Sequence, residues 1–78
     1  MSFRFHGIAR VDPQRVNRDV AALAQEIVGH LTALVDADVE ITVEIHATSF
    51  DGFAEDVVRT VNENARTLGL PSYGFEER

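Results

Sequence analysis

The chain has 78 residues, no cysteine and a formal net charge of −6. This length predicts a single domain, residues 1–78, with a thin core. The lack of cysteine excludes disulfides and thiolate zinc sites, so a partner chain is the remaining common way to stabilise such a domain. The seven basic residues are all arginines, scattered among thirteen acidic residues, so nucleic acid is an unlikely partner. We find neither a signal peptide nor a run of about 20 apolar residues, and we expect a cytoplasmic protein that does not enter a membrane.

The first half of the chain predicts a strand and then a long helix. Residues 3–11 (FRFHGIARV) alternate in polarity and predict a strand. Asp12 and Pro13 are typical of a helix start, with Asp12 as the N-cap. Apolar residues then recur at steps of three and four, which predicts a helix over residues 13–35. They are Val16, Val20, Leu23, Ile27, Leu31 and Leu34.

The second half predicts a strand, a helix and a short last strand. Residues 38–48 alternate more strictly than residues 3–11, with apolar side chains at every second position. Asp51-Gly52 indicates a turn, and apolar spacing predicts a helix over residues 54–68 that ends at Gly69. The alternation in SYGFEE predicts a third strand over residues 72–77.

This order of elements predicts an α/β fold, a small β-α-β-α-β two-layer sandwich. Crossover connections between parallel strands are right-handed, which leaves two arrangements of the helices. Because each predicted strand is apolar on one side only, we favour both helices on one face of a three-stranded sheet with strand order 1-2-3.

The other face of that sheet would be polar, and it holds most of the candidate interface residues. A solvated, salt-bridged surface is one interpretation. An interface with another subunit or a host domain is a second, because parallel sheets are rarely left open. A metal site is a third, but matched parallel strands would hold the two histidines roughly 13 Å apart, and only antiparallel strands would reverse that argument. The residues are Arg4, His6, Arg10, Glu40, Glu44 and His46.

The second helix adds a charged ridge to these candidates. Arg59 and Arg66 lie on it with Glu63, and Glu55 is placed to pair with Arg59. The ridge is either a row of solvated ion pairs or a contact for a phosphate or carboxylate. Two nearby asparagines, at 62 and 64, either hydrogen-bond to loop backbone or contact a partner.

The sequence carries no motif for catalysis. Phosphate loops, dinucleotide-binding glycine patterns and the nucleophile elbow are missing from it. We therefore predict no catalytic residue, no cofactor and no metal.

Several stretches together resemble the C-terminal end of large bacterial and archaeal P-loop ATPases of poorly defined function, which occur in defence-associated gene clusters. They are RFHG, Asp12-Pro13, VEITVEIHA, DGFAEDVVRTVNENARTL and YGFEE, and the similarity spans residues 3–77. The resemblance implies an accessory domain that follows the ATPase machinery and contains none of its nucleotide-binding parts. The chain departs from that family at Leu68-Gly69-Leu70-Pro71, where the family continues into a basic segment.

We therefore predict a non-enzymatic interaction or assembly module, accessory to a large ATPase or self-associating as a homodimer. The alternative is a small-ligand or metal-binding enzyme built on His6, Glu44 and His46.

Overall fold

The computed structural model describes residues 2–76, and all regular secondary structure in that range is helical. Helix α1 (Val16–Leu23) runs through a π-helical turn (Ala24–Val28) into α2 (Gly29–Thr32), and α3 (Glu55–Leu68) follows later in the chain. None of these helices is long and apolar enough to span a bilayer, for the part of the chain described. The chain forms two compact units, Met1–Thr42 and Val43–Arg78; that it is a single domain stays a prediction.

In the first unit, Asp12 organises the approach to α1. Its carboxylate accepts a hydrogen bond from the Gln14 N–H at 2.9 Å, and its carbonyl accepts one from the Arg15 N–H at 2.9 Å. The Asp12 N–H in turn donates to the Asp19 carboxylate at 3.0 Å. The prediction of Asp12 as the helix N-cap is wrong, because Arg15 is the N-cap residue of α1 and no described side chain caps the helix. Asp12 and Pro13 instead form a turn before the helix.

The π-helical turn interrupts the regular spacing of the first helical stretch. The Gly29 N–H donates to the Ala24 carbonyl, five residues back. A methyl group added at Gly29 would lie 3.2 Å from that carbonyl oxygen, so glycine suits this close approach. The helical stretch ends at Thr32, whose hydroxyl donates to the Val28 carbonyl at 3.1 Å, three residues before the predicted end at 35.

In the second unit, local signals bound α3 at both ends, as the sequence predicts. A turn from Ser49 to Gly52 precedes the helix, closed by the Gly52 N–H to the Ser49 carbonyl at 3.2 Å, and Gly52 has φ +86°. At the other end, Gly69 is left-handed. The Gly69 N–H donates to the Arg66 carbonyl and the Leu70 N–H to the Ala65 carbonyl, each at 3.0 Å, which is a Schellman motif.

Residues 70–75 then return along α3, and we call them the return segment. The Phe75 ring meets the Phe53 ring edge to face, with centroids 5.3 Å apart. A helix of this length rises about 21 Å, and six extended residues cover about 20 Å. The return segment therefore reaches from the end of α3 back to its start, and Ala65, the one buried residue among residues 2–76, lies in this unit.

The predicted α/β sandwich is wrong: residues 2–76 contain no strand and no sheet. The stretches predicted as strands, residues 3–11, 38–48 and 72–76, are irregular, and Glu77, the end of the last one, lies outside the described residues. Alternating polarity shows which way side chains would point in a strand, but a strand forms only where its backbone hydrogen-bonds to a neighbour. No backbone hydrogen bond between described residues pairs residues 38–48 with another segment.

Candidate interaction surfaces

The polar sheet face proposed from the sequence does not form in the described part of the chain, because the strands that would carry it are not strands. Its predicted members lie instead on irregular segments of the two units. They are exposed, and the His46 ring lies 3.6 Å from the Glu44 carboxylate. Their role at an interface therefore stays a prediction, without the common face on which it was based: Arg4, His6, Arg10 and Glu40 in the first unit, Glu44 and His46 in the second.

The alternative metal site gains no geometric support. No group of three or more His, Asp or Glu side chains that could hold a metal ion occurs within residues 2–76. His6 belongs to the first unit, whereas Glu44 and His46 belong to the second and form only their own solvent-exposed pair.

The apolar stripe of the first helical stretch is one candidate surface. Val16, Val20 and Leu23 share one side of α1 because of their helical spacing. The π-helical turn changes that spacing before Leu31, and Leu34 lies beyond the end of the helical stretch. Val16 is 47% exposed, Val20 49% and Leu34 56%, so about half of each side chain faces solvent. Leu23 and Leu31 are half-buried. A face of this kind is what a helix presents to a core or to a partner.

Helix α3 has three sides, and the second and third of them share Asn62. An open apolar stripe holds Val57, Val61 and Leu68, which are 44%, 48% and 78% exposed. A second side carries Val58, Asn62 and Ala65, which are the least exposed residues of the helix. The return segment accounts for this burial, because it lies along α3 between Leu70 and Phe75.

The third side of α3 forms a shallow polar depression of about 310 Å³. Five residues line it, and we call it the arginine pocket: Arg59, Asn62, Glu63, Arg66 and Tyr73. The four helical residues share one side because Asn62, Glu63 and Arg66 lie three, four and seven positions after Arg59. Tyr73 comes from the return segment and is fixed on either side by the Schellman motif and by the Phe75–Phe53 contact.

The electrostatics of the arginine pocket are unbalanced. Among residues 2–76 the arginine–carboxylate pair is Arg18–Asp19, and the other close contact of this kind is between the His46 ring and the Glu44 carboxylate. Neither Arg59 nor Arg66 therefore has a carboxylate partner in that range. The predicted Glu55–Arg59 pair is not formed. Two guanidinium groups thus share the pocket with one carboxylate, that of Glu63. Chemically, this arrangement offers hydrogen-bond donors and positive charge to an oxyanion.

A second depression, of about 530 Å³, lies at the start of α1 and is lined by residues 13–18. It is an open groove around the turn that Asp12 organises. Its Arg18 side chain lies 3.6 Å from the Asp19 carboxylate, so that charge is already compensated.

Comparisons with protein-family models, curated proteins and solved structures find no match to this chain. The resemblance to the C-terminal end of P-loop ATPases is neither supported nor contradicted by them and stays a prediction.

Two features of this surface were missed by reasoning from sequence. Arg59, Arg66 and Asn62 were each identified, but Tyr73 was assigned to a strand and not to their pocket. The Phe53–Phe75 contact was also missed. The sequence did contain a signal for both features, namely the length of the segment after Gly69. Six residues, two of them aromatic, are long enough to run back along the helix that ends at Gly69.

Proposed function

We propose that this chain is a non-enzymatic assembly module that associates through its apolar helix faces. The most direct partner is a second copy of the chain, and a larger host ATPase is the partner that the sequence resemblance implies. The observation that carries the proposal is the exposure of the apolar stripes on α1 and α3. Stripes of this kind are the parts of a helix that normally pack against another element.

The energetics support association. Burying apolar surface contributes about 25 cal/mol per Å², and a fully buried valine or leucine contributes about 1.5–3 kcal/mol. Val20, Val57, Val61 and Leu68 each expose from 44% to 78% of their area, so covering them in a complex would gain a sizeable part of that free energy. Small domains with few buried residues commonly obtain stability from a partner in this way.

The composition of the stripes fits a protein interface. Their side chains are aliphatic and uncharged, while the charged residues of α3, such as Arg59 and Glu63, lie on another side. A centre from which charged residues are depleted is what distinguishes the buried part of a protein interface.

The experiment is sedimentation equilibrium of the wild-type chain and of a Val20→Asn/Val61→Asn double variant. Asparagine at these positions places a polar group in each stripe, and we expect association to weaken about tenfold or more. A matched control, Ala22→Asn/Thr67→Asn, introduces the same residues into the same helices away from the stripes.

The proposal predicts that the control associates as the wild type does. It would be contradicted if the stripe variant and the control assembled equally. It would also be contradicted if the wild type were a monomer and bound the proposed host ATPase no more tightly than the stripe variant does. Circular dichroism of each variant establishes that the helices are intact.

A further inference from the structure

The arginine pocket holds two guanidinium groups and one carboxylate, and neither arginine forms an ion pair within residues 2–76. Arg59 and Arg66 lie seven residues apart on α3, an axial distance of about 10.5 Å. Asn62 lies between them, and Tyr73 adds a phenol from the return segment. Guanidinium, amide and phenol groups are all hydrogen-bond donors, and guanidinium groups bind carboxylates with two parallel hydrogen bonds.

The same chain exposes a row of carboxylates. Asp36, Asp38 and Glu40 alternate with apolar residues in the first unit, and all three are exposed. Their residues take part in no helix, and none of the three carboxylates forms an ion pair within residues 2–76. We call these residues the acidic segment.

We propose that the arginine pocket binds the acidic segment of a second copy of this chain. This inference rests on the proposed function, and it names the contact that would orient the two copies. Apolar stripes drive association without fixing direction, whereas paired charges specify which surfaces meet. The chain supplies both members of the charge pair.

The spacing of the charges is compatible. Asp36 lies in a turn that is closed by the Ala37 N–H donating to the Leu34 carbonyl. Where the backbone after that turn is extended, Asp38 and Glu40 lie about 6.6 Å apart. The axial spacing of the two pocket arginines is about 10.5 Å, and their long, flexible side chains can close this difference. Two carboxylates can therefore be bound at once, one by each guanidinium.

Glu63 is the group in the pocket that opposes this binding. Its carboxylate faces the same depression as the two arginines and repels an incoming acid. Glu63→Gln removes that charge and keeps the shape, so it is expected to strengthen association, whereas Arg59→Gln/Arg66→Gln weakens it. Raising the salt concentration reduces both effects, because the pocket is open to solvent.

Charge reversal tests the pairing. One variant carries Arg59→Glu and Arg66→Glu; a second carries Asp38→Arg and Glu40→Arg. Each alone is expected to self-associate about tenfold more weakly than the wild type, since exposed pairs are lost and replaced by repulsion. Mixed in equal amounts, the two variants form a complex that neither forms alone, measured by sedimentation velocity with one variant fluorescently labelled.

A control reverses two arginines elsewhere, Arg15→Glu and Arg18→Glu, with the same change in net charge. Because it keeps both the arginine pocket and the acidic segment, it should self-associate as the wild type does. If it associates as weakly as the Arg59→Glu/Arg66→Glu variant, or if the two pocket-and-segment variants fail to complement each other while remaining helical, the pairing is overturned.

The outcomes separate the two proposals. If the wild type and the charge-reversal variants assemble equally well, the assignment of the pocket is overturned, but the assembly function is not. A wild type that stays monomeric overturns the second copy as the occupant of the pocket.

Discussion

Gly69 ends helix α3 and begins the turn into the return segment. Its φ of +76° is left-handed, a conformation that costs an L-residue about 1–2 kcal/mol. A methyl group added there would meet nothing within 4 Å. The whole effect of Gly69→Ala therefore arises from the backbone, not from a clash.

The expected magnitude follows from two opposing effects. Alanine also reduces the freedom of the unfolded chain, which stabilises the folded state by about 0.4–1 kcal/mol. We therefore expect a net loss of about 1 kcal/mol, which is about a fivefold change in the equilibrium between the closed and open Schellman motif. The hydrogen bonds affected are those of the Gly69 and Leu70 N–H groups.

Amide hydrogen exchange of Leu70 measures this directly, with Gly74→Ala as the matched control. Gly74 lies in the same return segment, its added methyl would meet nothing within 4 Å, and its φ is not positive. Leu70 should exchange about fivefold faster in Gly69→Ala and no faster in Gly74→Ala. Equal exchange in the two variants would refute the role assigned to the left-handed Gly69.

Three further predictions concern other contacts. A double-mutant cycle of Phe53→Leu and Phe75→Leu, measured by urea unfolding, should give a coupling of about 0.5–1.5 kcal/mol; a coupling near zero would show that the rings do not interact. Asp12→Ala removes the bond that closes the turn before α1, so it should lower the free energy of unfolding by about 0.5–1.5 kcal/mol and speed exchange of the Gln14 amide, and an unchanged rate would contradict that bond. The Cα chemical shifts of residues 38–48, measured by NMR on a dilute sample, should lack a continuous strand pattern; a sustained strand pattern would contradict the irregular backbone.

Helix α3 was predictable because its determinants are local. Residues 54–68 were predicted and Glu55–Leu68 is observed. Acidic residues in the first turn, apolar residues at helical spacing and Gly69 at the end all act within the helix or next to it. The first helix was predicted with less accurate ends, since Pro13 and Asp12 form a turn that only resembles a helix start in sequence.

The strands were not predictable because a strand depends on a distant partner. Residues 38–48 have the alternation of a half-buried strand, and nothing local contradicts that interpretation. In the described structure the backbone of residues 38–48 forms no hydrogen bond with another segment, so these residues do not form a strand. The same holds for residues 3–11.

The candidate surfaces were predictable in part. Arg59 and Arg66 were identified by their helical spacing, which the structure retains on one side of α3. The contribution of Tyr73 to their pocket was not predictable from the sequence, because it depends on the path of the chain after Gly69. Arg4, His6 and Arg10 were grouped with Glu40, Glu44 and His46 by a sheet that does not form.

The most direct test of association through the apolar helix faces is amide hydrogen exchange of the wild-type chain across a dilution series. Association through these faces should protect the amides of α1 and α3 more strongly at high concentration than at low concentration, while residues 3–9 are unaffected. Protection of α1 and α3 that stays the same at every concentration, or gains confined to other segments, would contradict it.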